Sequence, residues 1–482
     1  MSEDPTPTPP SANGGANSAS CTASGCPCPT DFVVDAPCKI IKAGGGSVQM
    51  SATNLPDFSE GDFEWTTTST KINLTNPGSP TVTVEGLADP SASRDAETIT
   101  VTRTADGCSP IVKTINVTVA KVTFSAATTQ RYGYDNFDTP ANPLDDHVCI
   151  KKSDHTFLKV DIAGGAIGTD FDFICDDTDI CTTVAPGGIA SFDLRLNAGT
   201  TNKDDTTLHA KVKCPGATSF TNIQVHVYKE KVVEVVVAKI DHPTTTNLRF
   251  ATENYSAFNT TVNDKIKEGV AKYNISNFDA GNAITPVTFA SGTGVLSYDI
   301  ANGGGADLTA IGTAMTGTGT KVRVAIVRDM KSYYYLSAAT VVGATTLTVR
   351  GASTFYSPGD TAPIGTGASR ETVTIVSLAG NTITCNALTK AHAVGDFMEF
   401  PAIGWSSDPI LVVEGTLSLS DIKWTIAHEV GHRDTALDLV DVNEASNVMY
   451  STLPYTDYRL RYCPRAKTYE AGTENQWEKI PR

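Results

Sequence analysis

The chain has 482 residues, with 53 acidic and 37 basic side chains and a formal net charge of -16. That balance excludes nucleic acid and anionic membranes as electrostatic partners, because both would repel it. No apolar run approaches the roughly 18 residues of a membrane span, and abundant Thr, Val and Gly with few long helical patterns predicts three or four domains rich in β structure.

Residues 1–30 are rich in Pro, Ser, Gly, Ala and Thr and nearly free of large apolar side chains. Such a segment buries too little surface to fold alone, so it reads as a flexible tail. Its opening Met1-Ser2-Glu3-Asp4-Pro5 lacks the basic and apolar regions of a signal peptide. Eleven cysteines are many for a reducing cytosol, which favours a secreted or extracytoplasmic protein. The expected route is therefore a signal already removed, or a non-classical export such as a secretion apparatus. Cys21, Cys26 and Cys28 in the tail could bind metal, but linker cysteines are more often incidental.

An internal repeat follows. Cys38 precedes Asp62-Phe63-Glu64-Trp65 and Cys108, while Cys149 precedes Asp170-Phe171-Asp172-Phe173 and Cys214. Paired cysteines, an aromatic strand between them and many short alternating strands predict two immunoglobulin-like sandwiches, at 31–121 and 122–230. Each is expected to carry one bridge, Cys38 to Cys108 and Cys149 to Cys214, and Cys175 to Cys181 could close a third. An odd cysteine total leaves at least one thiol unpaired. Such modules suit a cell-surface ligand, although nothing in them names one. Asp176, Asp177 and Asp179 lack the ligand spacing and glycine of a calcium loop and read as a solvated acidic loop.

From Lys231 to Ile240 the chain is a valine-rich strand. Tyr255 to Tyr273 places Phe258, Val262, Ile266 and Val270 at four-residue intervals, the pattern of an amphipathic helix. Pro286 to Ala290, Lys321 to Arg328 and Ile410 to Glu414 read as further strands. Between them, at 332–402, Thr345-Leu347-Val349, Thr372 to Val376 and Asn381 to Thr384 form short β segments broken by Gly-rich turns, predicting a small inserted β module.

The most informative stretch is Ala427-His428-Glu429-Val430-Gly431-His432. Ser418 and Asp421 form a capping box that opens a helix, and Ile422, Ile426 and Val430 then recur as one apolar stripe. His428 and His432, at i and i+4, share a face on which both imidazoles reach a single ion, with Glu429 beside them as a base.

The run from His428 through Asp438 to Asn447-Val448-Met449-Tyr450 resembles the zinc endopeptidases called metzincins, whose signature is HExxHxxGxxH, or Asp in the last position, followed by a methionine turn. The resemblance implies an α+β catalytic domain at 231–482 behind two all-β immunoglobulin-like sandwiches. It puts Zn2+ on His428, His432 and Asp438, Glu429 in the role of general base and Met449 beneath the metal. The chain departs from the pattern at Thr435, where the family has the glycine that turns the helix. A straight helix would leave Asp438 about 9 Å beyond His432, so Asp441 and Glu444 stay open as third ligands. Asp434 reads as a helix-end residue and Tyr450 as a wall. Leu453-Pro454-Tyr455 falls, by resemblance, where the family lines a substrate pocket.

The resulting expectation is a zinc-dependent endopeptidase acting on protein or peptide substrates through a zinc-bound water. Two alternatives stand beside it: a non-catalytic adhesion or structural protein with a degenerate zinc domain, and a secretion-system effector that uses the protease as a toxin.

Overall fold

The computed structural model describes residues 31–53, 62–90, 96–135, 146–415 and 417–433 with short breaks, together with Cys28, Leu439, Met449, Trp477 and Ile480. Alternation of apolar and polar residues dictates the first half. In Asp62–Thr67 only Phe63 and Trp65 are buried, and in Thr81–Gly86 Val82 and Val84 are buried while Thr81, Thr83 and Glu85 are only partly so. Each strand thus presents one face to a core and the other toward solvent.

The first sandwich packs a four-stranded sheet, containing Ser47–Thr53 and Thr81–Gly86, against strands Asp62–Thr67, Ala96–Thr104 and Ile111–Ala126. Its core gathers Phe32, Met50, Phe63, Trp65, Val82, Val84, Ile99 and Val101. The second sandwich lays His155–Ala163 and Ser191–Ala198 opposite a five-stranded sheet containing Phe171–Cys175, Asp204–Val212, Ser219–Tyr228 and His147–Lys151. Both are β-sandwiches, each with its apolar side chains between two facing sheets.

The two sandwiches share a strand. Ile111–Ala126 pairs with Ala96–Thr104 through Ile111 to Thr118, then with His155–Ala163 through Lys121 to Ala126. A single seven-stranded sheet therefore runs through both, and the junction at 121 is a hydrogen-bonded ladder rather than a linker. A disulfide reinforces it: Cys38 of the first sandwich is bridged to Cys214 of the second.

That bridge corrects the expected pairing. Cys108 is joined to Cys28, and Cys149 is a buried, unbridged thiol. The Cys149 Sγ donates to the carbonyl of Glu268 (2.7 Å) and accepts from the Gly133 N–H (3.1 Å). Cys175 and Cys181 do form a bridge. Spacing within a module is a poor guide here, because the partner of Cys38 is supplied by the neighbouring sandwich.

Beyond Tyr228 only two residues separate the second sandwich from strand Lys231–Asp241. This strand lies inside a six-stranded sheet between Ala271–Asn277 and Val322–Val327, and Ile410–Val413 pairs with the far side of Val322–Val327, all three pairings being parallel. Its valines alternate between two apolar faces. Val233, Val235 and Val237 meet helices α1 (Asn259–Ile266) and α3 (Leu419–Gly431), while Val236, Ala238 and Ile240 meet α2 (Gly305–Ala314). Burial on both faces is what a parallel sheet requires.

The expected helix from Tyr255 to Tyr273 is shorter than its periodicity implies. It ends at the turn Lys267–Gly269, Val270 sits at a left-handed φ of 54°, and Ala271–Asn277 becomes a strand. Parallel pairing with Lys231 to Val237 outweighs another turn of helix there. The inserted β segments belong to a seven-stranded sheet that also takes in Leu296–Asp299 and Met330–Tyr335, around a core of Tyr334, Leu347, Val373, Ile383 and Met398.

The expectation of an α+β metzincin-like domain at 231–482 is corrected by these proportions. The described residues are 50% strand and 13% helix, and the three α-helices among them have 8, 10 and 13 residues. The reason is physical. A motif a dozen residues long determines one helix, whereas the alternating Val, Thr and Ile of the surrounding segments determine sheets.

Candidate metal centre

Helix α3 begins where the sequence says it should. The Ser418 N–H donates to Asp421 Oδ2 (3.1 Å) and the Asp421 N–H donates to Ser418 Oγ (3.2 Å), which satisfies two donors of the first turn. Ile422, Ile426 and Val430 are fully buried in the core shared with the second sandwich.

This seating brings His428 and His432 together. Their Nε2 atoms are 3.1 Å apart and the ring planes are nearly perpendicular, at 88°. The His432 Nδ1 lies 2.9 Å from the carbonyl of Leu439. A carbonyl can only accept, so Nδ1 carries the proton and the Nε2 lone pair points toward His428. Glu429 follows on the same helix and is 8% exposed, beside His428 at 6%.

Two contacts hold the helix from below. The Tyr273 hydroxyl donates to the carbonyl of Ala427 (3.2 Å), and burial pushes that phenol's pKa up. Met449, fully buried, puts its sulfur where a Cβ on Gly431 would be, 2.5 Å from that position. Only glycine admits the methionine at this distance from the helix.

Tyr298, on strand Leu296–Asp299, is a neighbour that sequence reading missed. Burial raises its phenol pKa, a hydrogen bond with Ser407 lowers it, and the charges of Glu429 and Asp299 raise it further. It is close enough to Glu429 to feel that carboxylate. No motif spacing could have signalled this, because the two residues lie on unconnected elements.

Asp438, Asp441 and Glu444 lie outside the described residues, as do Asp434, Thr435, Tyr450 and Leu453-Pro454-Tyr455, and Cys21 and Cys26 of the tail. Among the described residues no group of three or more His, Cys, Asp and Glu side chains could hold a metal ion. The metzincin assignment is corrected on this ground together with the strand-dominated fold. What stands is a helix bearing two converging imidazoles and one carboxylate.

No family model matches the chain, and no curated protein does. Solved structures similar to it each cover about two fifths of the chain. The tandem Ig repeats of Dlar are 9% identical over 42% of this chain and 100% of that one, with a TM-score of 0.17. Fibronectin(III)-like modules of CbhA from Clostridium thermocellum are 13% identical over 41% and 95%, with a TM-score of 0.20. The Yersinia pseudotuberculosis adhesin InvE is 13% identical over 41% and 58%, with a TM-score of 0.17. Three disulfides among the described residues suggest an extracellular protein, and no helix among those residues is long and apolar enough to cross a membrane.

Proposed function

We propose that this chain is a zinc-dependent endopeptidase, with His428 and His432 as metal ligands, Asp438 as the third and Glu429 as the general base. The observation that carries the reading is the convergence of the two Nε2 atoms at 3.1 Å. Tetrahedral ligation with Zn–N bonds of about 2.0–2.1 Å separates two ligand nitrogens by about 3.3–3.4 Å, so the pair fits with a shift of a few tenths of an ångström. The Leu439 carbonyl adds support, since a ligating histidine commonly donates its other ring N–H to such an acceptor.

A bound zinc ion would supply Lewis acidity, acidifying a water and polarising the scissile carbonyl. Glu429 accepts a proton from the attacking water. As the C–N bond breaks it returns that proton to the departing amine, so one water is consumed per bond cleaved. Burial of Glu429 and His428 keeps bulk water from solvating the base.

The test is metal analysis with a single substitution. Purified protein is expected to carry one zinc, and Glu429→Gln to lose hydrolysis of unfolded protein substrates while keeping the metal. Full activity in that variant would sink the mechanism.

A second reading, an adhesion protein whose metal helix is inert, draws support from the sandwiches. A shared sheet and the Cys38–Cys214 bridge make them a rigid pair suited to presenting a binding surface. Zinc-loaded protein that cleaves nothing across a broad peptide library would favour it.

A further inference from the structure

We propose that Tyr273 is a positioning residue for the metal site, its hydroxyl fixing the peptide plane from which His428 projects so that the two imidazoles converge on one ion. This rests on the reading of His428 and His432 as zinc ligands. The Tyr273 hydroxyl donates to the Ala427 carbonyl at 3.2 Å. That carbonyl belongs to the planar peptide group joining Ala427 to His428, so a hold on its oxygen is a hold on the nitrogen and Cα of the ligand.

The two ligands are thus fixed by different means. His432 is oriented through its ring, whose Nδ1 lies 2.9 Å from the Leu439 carbonyl. His428 is placed through its backbone, by a residue 154 positions earlier in the chain. In a regular helix the Ala427 carbonyl also accepts the Gly431 N–H, so the hydroxyl occupies its second lone pair. A carbonyl held twice resists the fraying common in a last turn. Burial raises the phenol's pKa, which keeps the hydroxyl protonated and therefore a donor. Tyr273 is 0% exposed and Ala427 1%, so solvent does not reach the bond to replace it.

Tyr273 is itself a fixed point. It lies on Ala271–Asn277, the strand at one edge of the six-stranded sheet, in register with Val233 of Lys231–Asp241. On the open side Asn263 of α1 stands in for a neighbouring strand. The Tyr273 N–H donates to Asn263 Oδ1 at 2.7 Å, and Asn263 Nδ2 donates to the Tyr273 carbonyl at 2.8 Å. Asn259 repeats the arrangement at Ile275, at 2.6 and 2.8 Å. The match follows from dimensions, since four residues of helix rise about 6.0 Å and two residues of strand about 6.6 Å. Pairing on one edge and a carboxamide on the other leave the Tyr273 backbone little freedom, and that rigidity passes through the hydroxyl to α3.

The test compares the unsubstituted full chain with Tyr273→Phe, which deletes one oxygen and keeps the ring. Zinc affinity is measured by competition with a chromophoric chelator, and the melting temperature of the metal-free proteins is read beside it. Tyr273→Phe is expected to weaken zinc binding about tenfold and to change the visible spectrum of the cobalt-substituted protein, because the ligand geometry is altered. Asn263→Ala, which frees the Tyr273 backbone and leaves the hydroxyl in place, is expected to weaken zinc binding in the same direction. Unchanged zinc affinity and an unchanged cobalt spectrum in Tyr273→Phe, with a lowered melting temperature, would overturn the proposal, since the residue would then support the fold alone. If Tyr273→Phe fails to fold, Asn263→Ala decides, and full zinc affinity there overturns the positioning role. An unsubstituted chain that binds no zinc removes the metal reading itself, and the positioning role with it.

Discussion

The Nδ1 of His432 lies 2.9 Å from the carbonyl oxygen of Leu439, whose own N–H donates to the Gly431 carbonyl at 3.0 Å. These two bonds hold Leu439 against the end of α3 and fix the orientation of the imidazole. On the reading proposed above, zinc binds the folded chain and not the unfolded one, which stabilises the fold by mass action. At free zinc one hundred times the dissociation constant, the gain is about 2.7 kcal/mol. Added zinc should therefore raise the melting temperature of chelator-treated protein, and His432→Ala should abolish the rise. A melting temperature indifferent to zinc in the unsubstituted chain would remove the metal from the reading.

Gly431 and Met449 make the second test. A methyl at 431 would sit 2.5 Å from the Met449 sulfur, so Gly431→Ala overpacks a buried contact and should cost about 1–3 kcal/mol. Met449→Ala leaves a cavity and should cost about 2–5 kcal/mol alone. Because each change relieves the other, the double variant should be less destabilised than the sum of the two. Urea unfolding of the four proteins gives the coupling directly, and strict additivity would mean that the contact carries no energy.

The Cys38–Cys214 bridge closes a loop with a sequence separation of 176. In the chain-entropy account a loop of this size constrains the unfolded state by about 4–5 kcal/mol, with measured values more often about 2–4. Cys38→Ala with Cys214→Ala should lower the melting temperature and increase proteolysis at the junction of the sandwiches. The shared strand Ile111–Ala126 should still hold the modules in one sheet, so the variant is expected to remain folded at 25 °C.

Glu371 governs the acid limb of the inserted sheet. Burial opposes its charge, yet hydrogen bonds from the Thr389 N–H and hydroxyl, His392 and the Lys390 N–H bring its pKa down to about 2. The folded value lies below the ordinary 4.5, so the stabilisation is fully present above that pH and is lost as pH falls toward 2. Hydrogen exchange in residues 371–398 should accelerate across this window before exchange in the sandwiches does. Glu371→Gln should flatten the dependence, and an unchanged acid profile in that variant would assign the loss elsewhere.

Local features were the legible ones. The Ser418 and Asp421 box, the stripe of Ile422, Ile426 and Val430, and the alternation in Lys231–Asp241 depend on residues within one or two turns of each other, where spacing alone dictates geometry. The end of the helix after Ile266 was not legible, because pairing of Ala271–Asn277 with a strand some forty residues earlier decides it. Tyr298 was missed for the same reason, since its closeness to Glu429 is created by two elements that no sequence interval relates.

By itself, then, the sequence determined that strands would dominate the first half, that a capped helix would bring His428 and His432 one turn apart with Glu429 between them, and that Cys175 could bridge Cys181. Tertiary structure alone decided which cysteines meet, that one strand serves two sandwiches, and that Leu439 and Met449 close on the end of α3. The difference is one of range. Periodicity and capping act over a few residues, whereas disulfide partners, shared strands and the orientation of the His432 imidazole depend on which distant surfaces are buried against each other.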